Sequence, residues 1–167
     1  MEMTKKERLS FIYQLRILEA LYPDEADSYA QHRTALEKGF TLHYDWMFEH
    51  LYDELSEQDC REVLDILDMY SAITHSVESL PADDELRKHH LAKFPGFDGN
   101  NETHHMAYAR YFIVDLDRYS ELRQDDYPYF NSHCPMLGRY REMLDRWRPL
   151  KPAFKLSRDQ LATILGA

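Results

Sequence analysis

Residues 56–80 read SEQDCREVLDILDMYSAITHSVESL, and this stretch decides the fold. Ser56 followed by Asp59 is a helix start, because a side-chain oxygen at the cap accepts a backbone N–H that has no partner inside the helix. Apolar side chains then recur at Cys60, Val63/Leu64, Leu67, Tyr70, Ile73/Thr74 and Val77. That spacing is close to heptad and lines one helix face, which suits a helical hairpin or bundle. Pro81 ends the run, since proline has no N–H to donate and crowds the preceding turn. Asp59, Glu62, Asp65 and Asp68 wind around the remaining surface, where a solvated acidic face is expected.

The remainder of the 167 residues continues the pattern. Leucine occurs 21 times and valine 3 times, a balance that favours helices over strands. No glycine lies between Gly39 and Gly96, and no stretch of strand length alternates apolar and polar residues. Helices are expected over residues 5–22, 24–38, 42–55, 56–80, 84–93, 101–122, 136–148 and from 158 to about 165. Thr4 with Glu7, and Ser157 with Gln160, supply caps; Gly39 suits a left-handed stop. The first helix carries an apolar stripe of Leu9, Ile12/Tyr13, Ile17 and Ala20/Leu21. Between Met106 and Leu116 only Arg110 and Asp115 are charged, so the helix over 101–122 is expected to be nearly surrounded by protein. Residues 123–135 read as a loop. The fold class is all-α and multihelical, with an N-terminal helical part over 1–80 built on long hairpin helices and a C-terminal multihelical part over 81–167.

Charge is unevenly spread. The formal net charge is -10, with +1 over residues 1–23, -11 over 24–80, -4 over 81–134 and +4 over 135–167. An acidic surface repels nucleic acid, so no nucleic-acid partner is expected. The basic tail (Arg139, Arg141, Arg146, Arg148, Lys151, Lys155 and Arg158) is expected to face the acidic middle, in its own chain or in a neighbouring subunit. No apolar run approaches the ~20 residues of a membrane span, and the first ten residues are mostly polar. The expectation is a cytoplasmic protein with no membrane partner. Cys60 and Cys134 belong to no Cys-x-x-Cys pair and read as free thiols.

Several chemistries lack their motifs. There is no phosphate-binding glycine loop, no His-Glu-x-x-His and no Gly-x-Ser-x-Gly. Glu54-Leu-Ser-Glu57 and Glu62-Val-Leu-Asp65 have the form of magnesium-binding acid pairs, but they lie too close along one stretch to converge on an ion from opposite sides. His89-His90 and His104-His105 are adjacent pairs, and neighbours on a helix point about 100° apart, so each pair offers one good ligand at most. No metal and no cofactor are assigned. The distinctive stretch is Gly96-Phe97-Asp98-Gly99-Asn100-Asn101-Glu102, four polar side chains at a helix start beside glycine. A helix start favours anions, so Asp98, Asn100, Asn101, Glu102, His105, Arg110 and Arg118 are the candidate residues for a small anionic ligand. The plainer reading of the same turn is a helix cap. Arg110 and Arg118 are expected to need carboxylate partners in so apolar a segment.

Ordered matches run from end to end with one family. They begin at Met1-Glu2-Met3-Thr4 and Arg8-Leu9, and pass through Cys60-Arg61, Asp65-Ile66 and Met69-Tyr70. They are densest at Gly96-Phe97-Asp98, Glu102, Tyr108-x-Arg110 and Arg118-Tyr119, and continue through Phe130-Asn131, Pro135-Met136, Tyr140, Met143-Leu144, Trp147 and Leu156-Ser157. The chain resembles the YfbU family of bacterial proteins. Asp117 stands where that family's pattern carries glycine, which bears on where the helix over 101–122 ends. The resemblance implies an all-α protein that self-associates, and it transfers no catalytic residues. Two functional classes follow. One is a non-enzymatic helical protein, regulatory in role, acting through protein contacts as a homo-oligomer with a further protein partner. The other is a small anionic ligand binder or enzyme built on the Asp98–Glu102 turn.

Overall fold

The computed structural model describes residues 2–123, 130–150 and 155–167. Its α-helices are α1 (Lys5–Leu21), α2 (Ala26–Lys38), α3 (Leu42–Phe48), α4 (Glu57–Glu78), α5 (Thr103–Arg110), α6 (Leu137–Trp147) and α7 (Arg158–Leu165). Among the described residues there is no strand, only one bridge between Phe97 and Asn131. The fold is all-α and multihelical. The chain divides into two units, Met1–Glu54 and Leu55–Ala167. This division and the expected one after residue 80 differ in the placement of α4, whose buried side chains belong to the core of the larger unit.

The smaller unit is a helical hairpin with α3 appended. Thr4 opens α1 with a capping box: its Oγ1 accepts from Glu7 N at 3.2 Å, and Glu7 Oε2 accepts from Thr4 N at 2.8 Å. Proline at residue 23 ends α1, and a short 3-10 turn, Pro23–Glu25, precedes α2. Gly39 closes α2 at φ +77°, a conformation that costs glycine least. Ile12, Leu36 and Tyr44 form a small core with Met3, Leu15 and Met47 against it. Polar contacts fix the hairpin: Arg8 donates to Leu36 O at 3.0 Å, and Arg33 pairs with Glu19 at 2.6 Å and Glu37 at 3.1 Å. Helix α3 ends at Phe48, well before the expected residue 55.

The larger unit is built around α4. Val63, Ile66, Leu67, Met69, Tyr70, Ala72 and Ile73 are buried along it. They meet Tyr140, Met143, Leu144 and Trp147 of α6 and Leu161, Ile164 and Leu165 of α7 in one cluster. Tyr70, Phe94, Phe97 and Tyr140 pack ring against ring, with centroids 5.1–5.8 Å apart for the Tyr70–Phe94, Tyr70–Tyr140, Phe94–Phe97 and Phe97–Tyr140 pairs. Where a helix is expected over 84–93, only a 3-10 turn forms, Glu85–Lys88, capped by Asp84.

The expected helix over 101–122 is interrupted. After α5 the chain widens into a π turn, Tyr111–Asp115, in which Leu116 N donates to Tyr111 O at 2.9 Å. Asp117 and Tyr119 then adopt left-handed φ of 50° and 53°. Glycine is the residue that reaches this region without a Cβ penalty, so Asp117 and Tyr119 hold it at a cost. The segment is not surrounded by protein either: Tyr111, Val114 and Leu116 are exposed, while Ala109, Ile113 and Leu122 are buried in the core and Met106, Tyr108, Phe112 and Tyr119 pack against it. The expected loop over 123–135 includes residues 124–129, which lie outside the described residues.

Three arginines of the basic tail pair with carboxylates elsewhere in their own chain. Arg141 meets Glu62 at 2.8 Å, Arg148 meets Asp65 at 3.2 Å and Arg158 meets Asp84 at 2.7 Å. Arg146 instead donates to the last carbonyls of α7, Thr163 O and Ile164 O, each at 3.4 Å. Lys151 lies outside the described residues.

Candidate functional site

The Gly96–Glu102 turn is held by its own chain. Gly96 has φ +89°, and Tyr140 donates its hydroxyl to the Gly96 carbonyl. Phe97 N donates to Phe130 O at 2.8 Å, and Ser132 N to Phe97 O at 3.0 Å. Asp98 is buried; its Oδ1 accepts from Asn100 N at 3.0 Å and its Oδ2 from the Asn101 side-chain amide. Those two donors hold the Asp98 carboxyl below the usual carboxylate range. Gly99 N donates to Asn131 Oδ1 at 3.1 Å.

Glu102, also buried, ties three segments together. Its Oε2 accepts from Asp98 N at 2.9 Å, and its Oε1 accepts from Met136 N and Leu137 N, both at 2.8 Å. The start of α6 is where unpaired N–H groups and the helix dipole attract an anion, and Glu102 is that anion. The backbone donors at Asp98, Gly99, Asn100 and Glu102 all have acceptors within the chain. Among the other candidate residues, Asn100, Asn101, Arg110 and Arg118 are exposed. Arg110 and Arg118 lie on the surface, so the burial that would make carboxylate partners necessary is absent.

His105, one turn after Glu102, faces different company. A ring nitrogen of His105 and one carboxylate oxygen each from Asp59 and Glu62 all lie within 4.8 Å of one another. The ring also packs on Phe97, with centroids 5.8 Å apart, and its Nε2 is sealed from solvent with no hydrogen-bond partner. Asp59 Oδ2 accepts from Ser56 Oγ at 2.6 Å. Glu62 accepts from Arg141 twice, Nε to Oε1 and Nη2 to Oε2, both at 2.8 Å. Glu62 keeps the guanidinium firmly charged, with Asp59 and Glu102 adding to its field. Asp59, Glu62 and Arg141 line an open charged groove of about 650 Å³.

A second surface lies in the smaller unit. Leu9, Tyr13, Ile17 and Leu21 recur every four residues along α1 and are 47%, 55%, 58% and 64% exposed. This is most of the stripe expected to face the core. Only Ile12 of that stripe is buried, because α2 covers the face carrying Ile12 and Leu15 instead. Trp46, Leu42, Leu51 and Tyr52 of the same unit are exposed as well.

The YfbU domain family model matches residues 1–167. The chain belongs to the YfbU family. It is also similar to the UPF0304 protein MJECS11 of Methanocaldococcus jannaschii, at 35% identity over 172 residues covering 99% of each chain. No helix among the described residues of this YfbU-family chain is long and apolar enough to cross a membrane.

Sequence reasoning found His105 but not its neighbours. Asp59 and Glu62 read as a solvated face because acids spaced three apart on a helix are common. Only the packing of α5 on α4 brings the histidine to them. Arg141 carried a signal, as one arginine of a basic tail expected to meet that acidic helix.

Proposed function

We propose that this YfbU-family protein works through protein contacts as a homo-oligomer, with the open face of α1 packed against α1 of a second copy. The observation that carries this is the exposed Leu9–Tyr13–Ile17–Leu21 stripe. A contiguous apolar strip on a solvent-facing surface marks an interaction site more often than isolated exposed leucines do. Charge selects a second copy in antiparallel orientation. The start of α1 carries Lys5 and Lys6, and the segment after it carries Asp24 and Glu25. A two-fold axis near Leu15 sets Leu9 against the partner's Leu21, and Tyr13 against the partner's Ile17. The same axis brings Lys5 and Lys6 near the partner's Glu25 and Asp24. Such an isologous contact is self-complementary and closes at two copies. Its rim ion pairs contribute about 0–1 kcal/mol each, so apolar contact dominates and added salt weakens it only slightly.

Sedimentation at micromolar concentration tests this. The unaltered chain is expected to sediment as a dimer, and Tyr13→Glu/Ile17→Glu as a monomer with unchanged helical circular dichroism. A monomeric unaltered chain, or a dimer indifferent to both substitutions, would overturn the proposal. The Asp98–Glu102 turn supports the alternative of a small anionic ligand less well, since the backbone donors at Asp98, Gly99, Asn100 and Glu102 are engaged internally.

A further inference from the structure

We infer that Asp59, Glu62 and His105 form a binding site for one divalent transition-metal ion of the zinc kind. The inference rests on the larger unit alone and goes beyond self-association. Asp59 and Glu62 are three apart on α4, so they share a face, and His105 arrives from α5, which packs on α4. Their three potential ligand atoms lie within 4.8 Å of one another. Ligands about 2.1 Å from a tetrahedral zinc ion stand roughly 3.4 Å apart, so side-chain torsions need close the set by about 1.4 Å at most.

The contacts around the triad fit that role. The buried Nε2 of His105 has no hydrogen-bond partner, an arrangement that costs free energy in a protein interior. Two carboxylates placed together beside an imidazole also repel one another, and a divalent cation relieves that repulsion. The bidentate contact from Arg141 does not block Glu62. Each carboxylate oxygen has two lone pairs, and Arg141 uses one on each. Ser56 donates to Asp59 and Arg141 to Glu62, the kind of hydrogen-bond partner that orients a metal ligand.

One imidazole nitrogen with two carboxylate oxygens suits zinc. Magnesium favours all-oxygen sets and retains much of its water. Three protein ligands leave a coordination position, and Asp59 and Glu62 border the charged groove. The sequence alone assigns no metal, because the His104-His105 pair supplies one ligand at most. The fold supplies the other two from α4.

The test uses the full chain after chelation and dialysis, titrated calorimetrically with zinc and separately with magnesium. Zinc is expected to bind at one ion per chain and magnesium far more weakly. Asp59→Asn and His105→Gln are each expected to weaken zinc binding by at least ~10-fold, the low end of losses when a metal site's partners are removed. His104→Gln is expected to leave it unchanged. Zinc should also raise the melting temperature of the unaltered chain and of His104→Gln, but not of the two ligand variants. That reading does not depend on the variants matching the parent in stability, because each is compared with and without zinc. Absence of zinc binding, or zinc binding and thermal protection that persist in both ligand variants, would overturn the assignment.

Discussion

Gly96→Ala is the most demanding perturbation of the larger unit. Gly96 sits at φ +89°, and a Cβ built there would lie 1.9 Å from Phe130 O, 2.3 Å from Phe130 C and 2.8 Å from Phe130 Cα. These are backbone atoms and cannot swing aside as a side-chain tip can. Displacing them breaks Phe97 N to Phe130 O and strains Ser132 N to Phe97 O. Two such bonds contribute about 1–3 kcal/mol together, and left-handed backbone costs a non-glycine residue about 1–2 kcal/mol more. The expected loss is therefore about 2–5 kcal/mol, a large part of the ~5–15 kcal/mol that holds a domain folded. For a chain of this length the melting temperature should fall by roughly 5–15 °C. Trp147 is buried in α6 and reports on this unit, so urea unfolding is best followed by fluorescence in a Trp46→Phe background. Two further glycines set the scale. Gly99→Ala meets only the Asn131 side chain, at 2.8 Å, and should cost less. Gly138→Ala lies inside α6 with nothing within 4 Å, and should stabilise by about 0.5–1 kcal/mol. A Gly96→Ala protein within about 1 kcal/mol of its parent would refute the close approach of Phe130 and the reasoning built on it.

Glu102→Gln keeps the shape but replaces a charged acceptor of three backbone N–H groups with an amide that must point its own N–H toward one of them. The expected loss is about 2–3 kcal/mol, read from the same unfolding curves, since hydrogen bonds to charged groups lie at the strong end. The Asp98 carboxyl is held below its ordinary range by Asn100 and Asn101. Its contribution is therefore fully present above an ordinary aspartate pKa of about 3.9 and is lost as pH falls through the lower folded value. Melting temperature measured against pH should drop on that acid side, and Asp98→Asn should flatten the drop; an unchanged acid limb would assign it to other carboxylates.

Helices with caps and a single apolar face were legible in the sequence. Thr4 with Glu7, and Ser157 with Gln160, form capping boxes, and Ser56 accepts from Asp59 N. These are local devices, settled within four residues of chain. What depended on distant contacts was not legible. The π turn at Tyr111–Asp115 and the left-handed Asp117 and Tyr119 break a segment whose composition reads as continuous helix. Tyr119 donates to Asp68 Oδ1 at 2.7 Å, 51 residues away, and no periodicity within residues 101–122 encodes that tether. The Gly96–Glu102 turn was legible as unusual. Its chemistry was not, because the atoms that occupy its donors and acceptors come from Phe130, Asn131, Met136, Leu137 and Tyr140 as well as from the turn itself. The cluster at His105 was hidden for the same reason.

Helix α1 shows why a periodic stripe does not name its own partner. Its apolar residues cover more than one face, with Leu9, Tyr13, Ile17 and Leu21 on one and Ile12 and Leu15 on another. Hydrophobic area alone does not favour burying the second, since the first offers larger side chains over a longer run. The polar contacts discriminate. Arg8 reaches Leu36 O near the end of α2, Glu19 receives Arg33, and Arg16 reaches Glu37 at 3.3 Å, and all three join α1 to α2. Turning α1 to bury the Leu9–Leu21 stripe would separate Arg8 from the α2 carbonyl and Glu19 from Arg33, leaving charged groups without their partners. The hairpin therefore closes on the face where charge and apolar contact agree. The other face, carrying Leu9, Tyr13, Ile17 and Leu21, stays exposed.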